Sequence, residues 1–325
     1  MPLTGHQTLS YVVGFEKGYF TAPTWLDTAS EYTVVAAKFL VPFLLLSVTS
    51  FLWWWSRGRD AKGRGVIVPQ YDAPQDMKAL EVGTVYDFDV QNKDITATII
   101  DLAIRHYIKI TETKVKKTLQ KDTTEYSLQL LNADFSALNP NEQQILKGLF
   151  DDSPVGTTVE INKLKNKLYT TATKVGKQVE KDLTDQGYFR SNPKSAGKLL
   201  SGIAVVVGII LFYAFGVIGL PGGIGLGLGL VVVFIFAHAM PARTPKGVET
   251  LEHIKGLKMY MEVAEKDRIE KLQSPNAPYA AHSPEPTKTV ELFEKLLPFA
   301  IVLGVEKQWG EQFKSLYTTP PDWYS

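Results

Sequence analysis

No cysteine occurs among the 325 residues, which removes disulfides, thiol catalysis and every thiolate metal site at once. A surplus of either charge is missing too. With 35 Lys+Arg against 34 Asp+Glu, bulk charge does not draw this chain to a polyanion, because phosphate contacts need an excess of positive groups. The five histidines, His6, His106, His238, His253 and His282, share no HExxH-type spacing, so no metal site is expected. Neither a GxSxG elbow nor a Walker GxxxxGK[ST] loop is present, and KSAGK at 194–198 lacks the first glycine. The expectation is a protein that is not an enzyme, with no catalytic, cofactor-binding or metal-ligating residues to assign and no small-molecule substrate.

What is present is unevenly spread. Residues 39–55, FLVPFLLLSVTSFLWWW, hold no charge, and extension back to Val34 gives 22 residues, which at ~1.5 Å each span the ~30 Å hydrocarbon core. This predicts a transmembrane helix over 34–55, with Lys38 able to snorkel and Trp53, Trp54 and Trp55 as an interfacial belt. A buried core helix is the competing reading; such helices are shorter and do not end in three tryptophans. Residues 199–240 contain no Asp, Glu, Lys or Arg over 42 positions, about twice the ~20 residues of one crossing. They read as a hairpin: helix two over 198–220, an external turn at Pro221-Gly222-Gly223, and helix three over 224–240. The glycine-rich GGIGLGLG at 222–229 superficially resembles a dinucleotide loop but has no soluble strand before it and no acidic ribose partner. Gly225 and Gly229, four residues apart, suit close helix packing instead.

Orientation follows from the flanks, since short basic loops stay in the cytoplasm. Arg57, Arg59, Lys62 and Arg64 follow helix one, Lys194 and Lys198 precede the hairpin, and Arg243 and Lys246 follow it. Residues 1–33 carry one lysine against Glu16, Asp27 and Glu31. The N-terminus is expected outside and the C-terminus inside. No signal-peptide pattern is read before residue 34, so helix one is expected to act as the insertion signal.

Residues 56–197 carry 21 Lys+Arg and 19 Asp+Glu, a mixed surface suited to a folded cytoplasmic domain. Asn92-Lys93-Asp94 offers a cap before a helix with Ile95, Ile99, Leu102 and Ala103 at helical spacing; YIKITET and EYSLQLL then alternate as a hairpin around the charged turn KVKKTLQKDT. In a second unit, Asn139-Pro140 caps the helix NPNEQQILKGLF, followed by a short strand, TTVEI, and further helix to Gly187. Helices followed by short strands suggest tandem winged-helix-like units. Such units often bind DNA, yet the net charge here is +2 and the only dense basic run, 114–121, suits a solvated turn, so nucleic acid is not expected as a partner. Residues 241–325 form a cytoplasmic helical segment with an extended tail; Leu251, Ile254, Leu257, Met261 and Ala264 stripe one helix, and Pro298 and Gly304 interrupt another.

Several stretches resemble a known family: GRGVIVPQYDAP, DITATIIDLAIRHYIKI, QGYFRSNP, GLKMYMEVAEKDRIEKL and FEKLLPFAIVLGVEKQW. They are similar to the YciQ-like predicted membrane proteins of bacteria, classed as a domain of unknown function. The last two are the most specific, with Glu265 and Arg268 in an A-E-x-x-R pattern, and Pro298, Gly304 and Trp309 in the segment that follows. The resemblance implies a bacterial plasma-membrane protein and makes residues 1–33 the remnant of a β-rich extracellular domain. It supplies no catalytic residues. Glu265, Arg268, Pro298, Gly304 and Trp309 are therefore candidates for structural or interaction roles only.

The fold expected is a multi-pass α-helical membrane protein, three transmembrane helices N-out/C-in, with a cytoplasmic α+β body of tandem winged-helix-like units and a C-terminal helical segment. Its expected role is a binding or scaffold module at the cytoplasmic face, with the lipid bilayer and a protein partner or self-association as partners. A membrane-tethered DNA-binding regulator and a membrane-embedded enzyme or transporter subunit are the rival readings.

Overall fold

The computed structural model describes residues 12–16, 18, 23–74, 77–115, 123–213, 215–262, 289–314 and 321–325. The chain divides into two compact units, residues 1–51 with 202–235, and residues 52–201 with 236–325.

The first unit is built from apolar helix. Helix α1 (Trp25–Arg57) runs longer than the charge-free stretch predicts, because Thr24 starts it early: its backbone N–H and hydroxyl both donate to the Asp27 carboxylate, at 2.8 and 2.7 Å. Helices α7 (Lys198–Tyr213) and α8 (Phe215–His238) form the second apolar region. Its break is not at Pro221-Gly222-Gly223, which is helical, but at Gly219, whose φ of 66° and ψ of −174° favour a residue with no Cβ. Proline lacks an N–H and is tolerated in the first turn of a helix, so Pro221 restarts the helix after the break. Among the described residues, three helices are long and apolar enough to cross a membrane: Trp25–Arg57, Pro193–Ile210 and Gly219–His238.

Small residues let α1 and α8 approach. A Cβ on Gly225 would lie 2.1 Å from the Phe39 carbonyl oxygen, and one on Gly229 would lie 2.9 Å from Leu46. Gly225→Leu should therefore separate the two helices, at a cost of about 1–3 kcal/mol, while Gly227→Leu, with nothing within 4 Å of its Cβ position, should be neutral. Thermal unfolding of the detergent-solubilised chain distinguishes the two variants, and equal melting temperatures would contradict this packing.

The second unit mixes helix and sheet around one core. Helices α2 (Ala79–Asp87) and α3 (Asn92–Ile104) lead into strands β1 (Ile108–Val115) and β2 (Thr123–Leu130), then α4 (Pro140–Phe150), β3 (Thr158–Glu160) and α5 (Lys165–Asp185). A short α6 (Pro193–Ala196) precedes α7; α9 (Pro245–Glu262), α10 (Val290–Leu303) and α11 (Glu306–Phe313) complete the unit. Helix α4 starts as its residues dictate. The Glu142 N–H donates to the Asn139 side chain at 2.8 Å, the Asn139 N–H donates back to the Glu142 carboxylate at 3.0 Å, and Pro140 takes the first helical position.

The strands form a single antiparallel sheet in the order β1-β2-β3. Ile108 pairs with Leu130 and Ile110 with Leu128, and these four alternating residues face the core. The strand expected after Asn139-Pro140 is β3, but it adds to the free edge of β2, with Leu128 opposite Val159, so the two segments expected to fold separately share one sheet. Helix α5 is continuous and carries Val175, Val179 and Leu183 on one buried face. Helix α10 packs on α2 and α3, and α9 packs on α2, which places the C-terminal helices in the same core as the sheet.

Candidate functional site

A largely apolar pocket of about 600 Å³ lies beside the sheet in the second unit. The cross-strand pair Ile110 and Leu128 lies at its base, Ile95, Ile99 and Ile100 of α3 form one wall, and Leu168 and Ala172 of α5 the other. Tyr126 and Tyr169 stand at the rim, 41% and 75% exposed, while Trp323 and Tyr324 complete the lining. Among the described residues, no Asp, Glu, Lys, Arg or His lines it. A surface of this kind offers apolar burial and hydroxyl groups, and its size lies within the ~300–1,000 Å³ range of binding pockets.

A second cavity, about 720 Å³, is polar. Asp72, Asp101, Glu291 and Glu294 face Lys78, Arg105 and Lys295 around it. These charges are largely spent on one another: Lys295 lies 2.7 Å from Asp72, and Arg105 lies 2.9 Å from Asp101 and also pairs with the buried Glu142. Burial raises the pKa of Asp101, and the adjacent Arg105 works against that shift. The cavity is best described as bordered by two sets of ion pairs, one joining the end of α3 to α4 through Arg105 and one joining α10 to the segment before α2 through Lys295 and Asp72.

The third feature is a junction beside the ends of the apolar helices. Arg243, just after α8, is buried. Its Nε donates to the Val85 carbonyl and its Nη2 to the Tyr86 carbonyl, both at 2.9 Å, so the guanidinium caps the C-terminal end of α2. Its Nη1 and backbone N–H donate to the two carboxylate oxygens of Asp60, at 3.0 and 2.6 Å, and its guanidinium carbon lies 3.7 Å from the Phe88 ring centroid. Around it, the Arg190 N–H donates to the Ala242 carbonyl and the Thr244 N–H to the Tyr188 carbonyl, each at 3.0 Å, and the Ala61 N–H donates to the Arg243 carbonyl at 3.2 Å. The segment after α1, the segment after α5 and the segment after α8 are thereby tied into one knot. The Trp54 indole N–H donates to the Ala239 carbonyl at 3.1 Å, and Arg59 lies over Trp55 at 4.1 Å. Lys194 adds an ion pair to the buried Glu180, at 2.6 Å, and another to Asp89, at 3.0 Å.

Of the residues singled out in the sequence, Glu265 and Arg268 lie outside the described residues, as does most of the basic run 114–121. The other three have structural places. Pro298 is buried within α10 and lines the polar cavity. Gly304 ends α10 in the left-handed conformation, φ 70°, while the Val305 N–H reaches the Ala300 carbonyl at 2.8 Å in a Schellman arrangement. Trp309 is fully buried, its indole N–H donating to the Phe293 carbonyl at 3.2 Å and its rings stacked near Phe293, Tyr260 and Phe313. None of the three lines the apolar pocket. Conversely, Arg243 was visible in the sequence only as a charge flanking an apolar helix; its pairing with Asp60 across 183 residues has no local signature.

Comparison with known proteins agrees with the three apolar helices. Residues 68–313 match the family model described as predicted membrane protein (DUF2207) C-terminal domain. No curated protein and no solved structure matches the chain. The matched segment covers most of the sequence, from before α2 through α11, and the chain belongs to this family of predicted membrane proteins.

Proposed function

We propose that this membrane protein spans the bacterial plasma membrane three times, N-terminus outside, and that its second unit is a protein-binding scaffold at the cytoplasmic face rather than an enzyme. The basic residues after α1, before α7 and after α8 support that orientation. The orders α2-α3-β1-β2 and α4-β3-α5 support a winged-helix-like description of the body. The observation that carries the binding role is the uncharged 600 Å³ pocket with Tyr126 and Tyr169 at its rim. A partner's apolar side chain would gain burial there, and tyrosines at the rim are typical of protein interfaces.

A photoreactive amino acid in place of Tyr169 tests this in intact cells. The expected result is a discrete protein adduct, including adducts with a second copy of the chain, that disappears when Ala172→Trp fills the pocket. Lipid adducts alone, or a protein adduct indifferent to Ala172→Trp, would overturn the binding role.

A further inference from the structure

Strand β1 is the outermost strand of its sheet, and such an edge would otherwise present unpaired N–H and C=O groups. The last three residues of the chain cover it. The Ile110 N–H donates to the Trp323 carbonyl at 2.9 Å, the Ser325 N–H donates to the Ile110 carbonyl at 3.0 Å, and the Glu112 N–H donates to the Ser325 oxygen at 2.6 Å. Residues 110 and 112 alternate as partners, and Tyr324 sits opposite Ile110 as a parallel strand addition. The side chains add selectivity to the backbone ladder. The Trp323 indole, 8% exposed, donates to Glu294 at 2.8 Å; the Tyr324 hydroxyl donates to Glu112, a bond that pushes its pKa up to about 12. The acceptor side is thus two carboxylates beside a strand edge, and it matches a ligand that brings aromatic N–H and O–H donors on an extended backbone.

We propose that the outer edge of β1, with Glu112 and Glu294 beside it, is an acceptor site for an extended peptide bearing adjacent Trp and Tyr, that Trp323–Ser325 is its ligand in cis, and that a partner protein's segment of the same chemistry displaces this tail. This deepens the reading of the body as a protein-binding module by naming where a partner engages it and with what. Displacement would also remove Trp323 and Tyr324 from the lining of the apolar pocket, so the edge and the pocket would open together. A bound strand gains its affinity from main-chain hydrogen bonds and its specificity from side-chain pockets, and both are in place here.

The test uses the detergent-solubilised full chain, a chain lacking residues 321–325, a full-length Trp323→Ala chain, and a fluorescent hexapeptide PPDWYS. The peptide should bind both altered chains saturably and the intact chain at least about tenfold more weakly, because the tethered tail competes at high effective concentration. The same peptide with alanine for tryptophan should lose at least about tenfold in affinity. Equal binding to all three chains, or no binding to altered chains that melt cooperatively, would overturn the proposal. So would loss of folding in both altered chains, which would make the tail a structural staple. Persistence of the protein adduct from position 169 in any of those cases would leave the pocket's binding role standing.

Discussion

Replacing Arg243 by glutamine should cost the second unit about 3 kcal/mol, since removing one partner of a buried ion pair strands the groups it served. Three of those groups sit on two segments: the Val85 and Tyr86 carbonyls at the end of α2, and the Asp60 carboxylate beyond α1. Asp60 is 38% exposed and water compensates it in part, which is why the lower end of the usual ~3–5 kcal/mol range is expected. Burial works against the charged guanidinium and Asp60 works for it, so the pair holds together as a unit. Arg243→Lys should recover only a fraction of the loss, because an ammonium group cannot fork to two carbonyls and a carboxylate from one position. Denaturant unfolding of the solubilised chain measures both variants; a loss below about 1 kcal/mol for Arg243→Gln would place the pair with ordinary surface salt bridges.

The second large effect is on pH dependence. Asp94 caps α3 by accepting the Gln91 N–H at 2.7 Å, yet it is fully buried, and its second oxygen, near Gly83 of α2, has no hydrogen-bond partner. Burial raises its pKa from 3.8 to about 7, helped by Asp87 and Asp89 and opposed by the Gln91 bond and Lys93. Burial also raises Glu81, Asp87 and Asp101 on the same two helices. The folded chain therefore keeps a proton on Asp94 that the unfolded chain releases, so the contribution of Asp94 is fully present below about 3.8 and is lost as pH rises from there to about 7. Three pK units correspond to about 4 kcal/mol, at ~1.4 kcal/mol each. Asp94→Asn cannot ionise, and it should match the parent near pH 3, where both forms are neutral, and exceed it at pH 8 by about 4 kcal/mol. Unfolding midpoints for the two chains across that range check this, and parallel pH profiles would contradict it.

Much of this architecture is legible from local patterns. The apolar helices, the Asn139-Pro140 start of α4, the 108–130 hairpin and the close approach of Gly225 and Gly229 all rest on residues near one another in sequence, where spacing carries the signal. The hairpin break misled because Pro-Gly-Gly is a strong turn signal in water, whereas here Gly219 supplies the positive φ and Pro221 opens a helix. The addition of β3 to the 108–130 hairpin escaped the same reasoning, since a three-residue strand has no periodicity to betray its partner. So did the C-terminal tail. Trp323 and Tyr324 read as part of an extended end, and only the fold brings them beside Ile110, Glu112 and Glu294. The site residues favoured by the resemblance proved to be core and capping residues where they are described, while the groups around the pocket, Ile99, Tyr126, Tyr169 and Trp323, come from four separated elements.

The passage of the chain across the membrane is tested most directly by cysteine labelling, because the natural sequence contributes no background thiol. Thr28 and Ser195 are both exposed, one in the first turn of α1 and one in α6 just before α7. With a membrane-impermeant maleimide, Thr28→Cys should be labelled on intact cells and Ser195→Cys only after permeabilisation; labelling of Ser195→Cys from outside intact cells would contradict a cytoplasmic body.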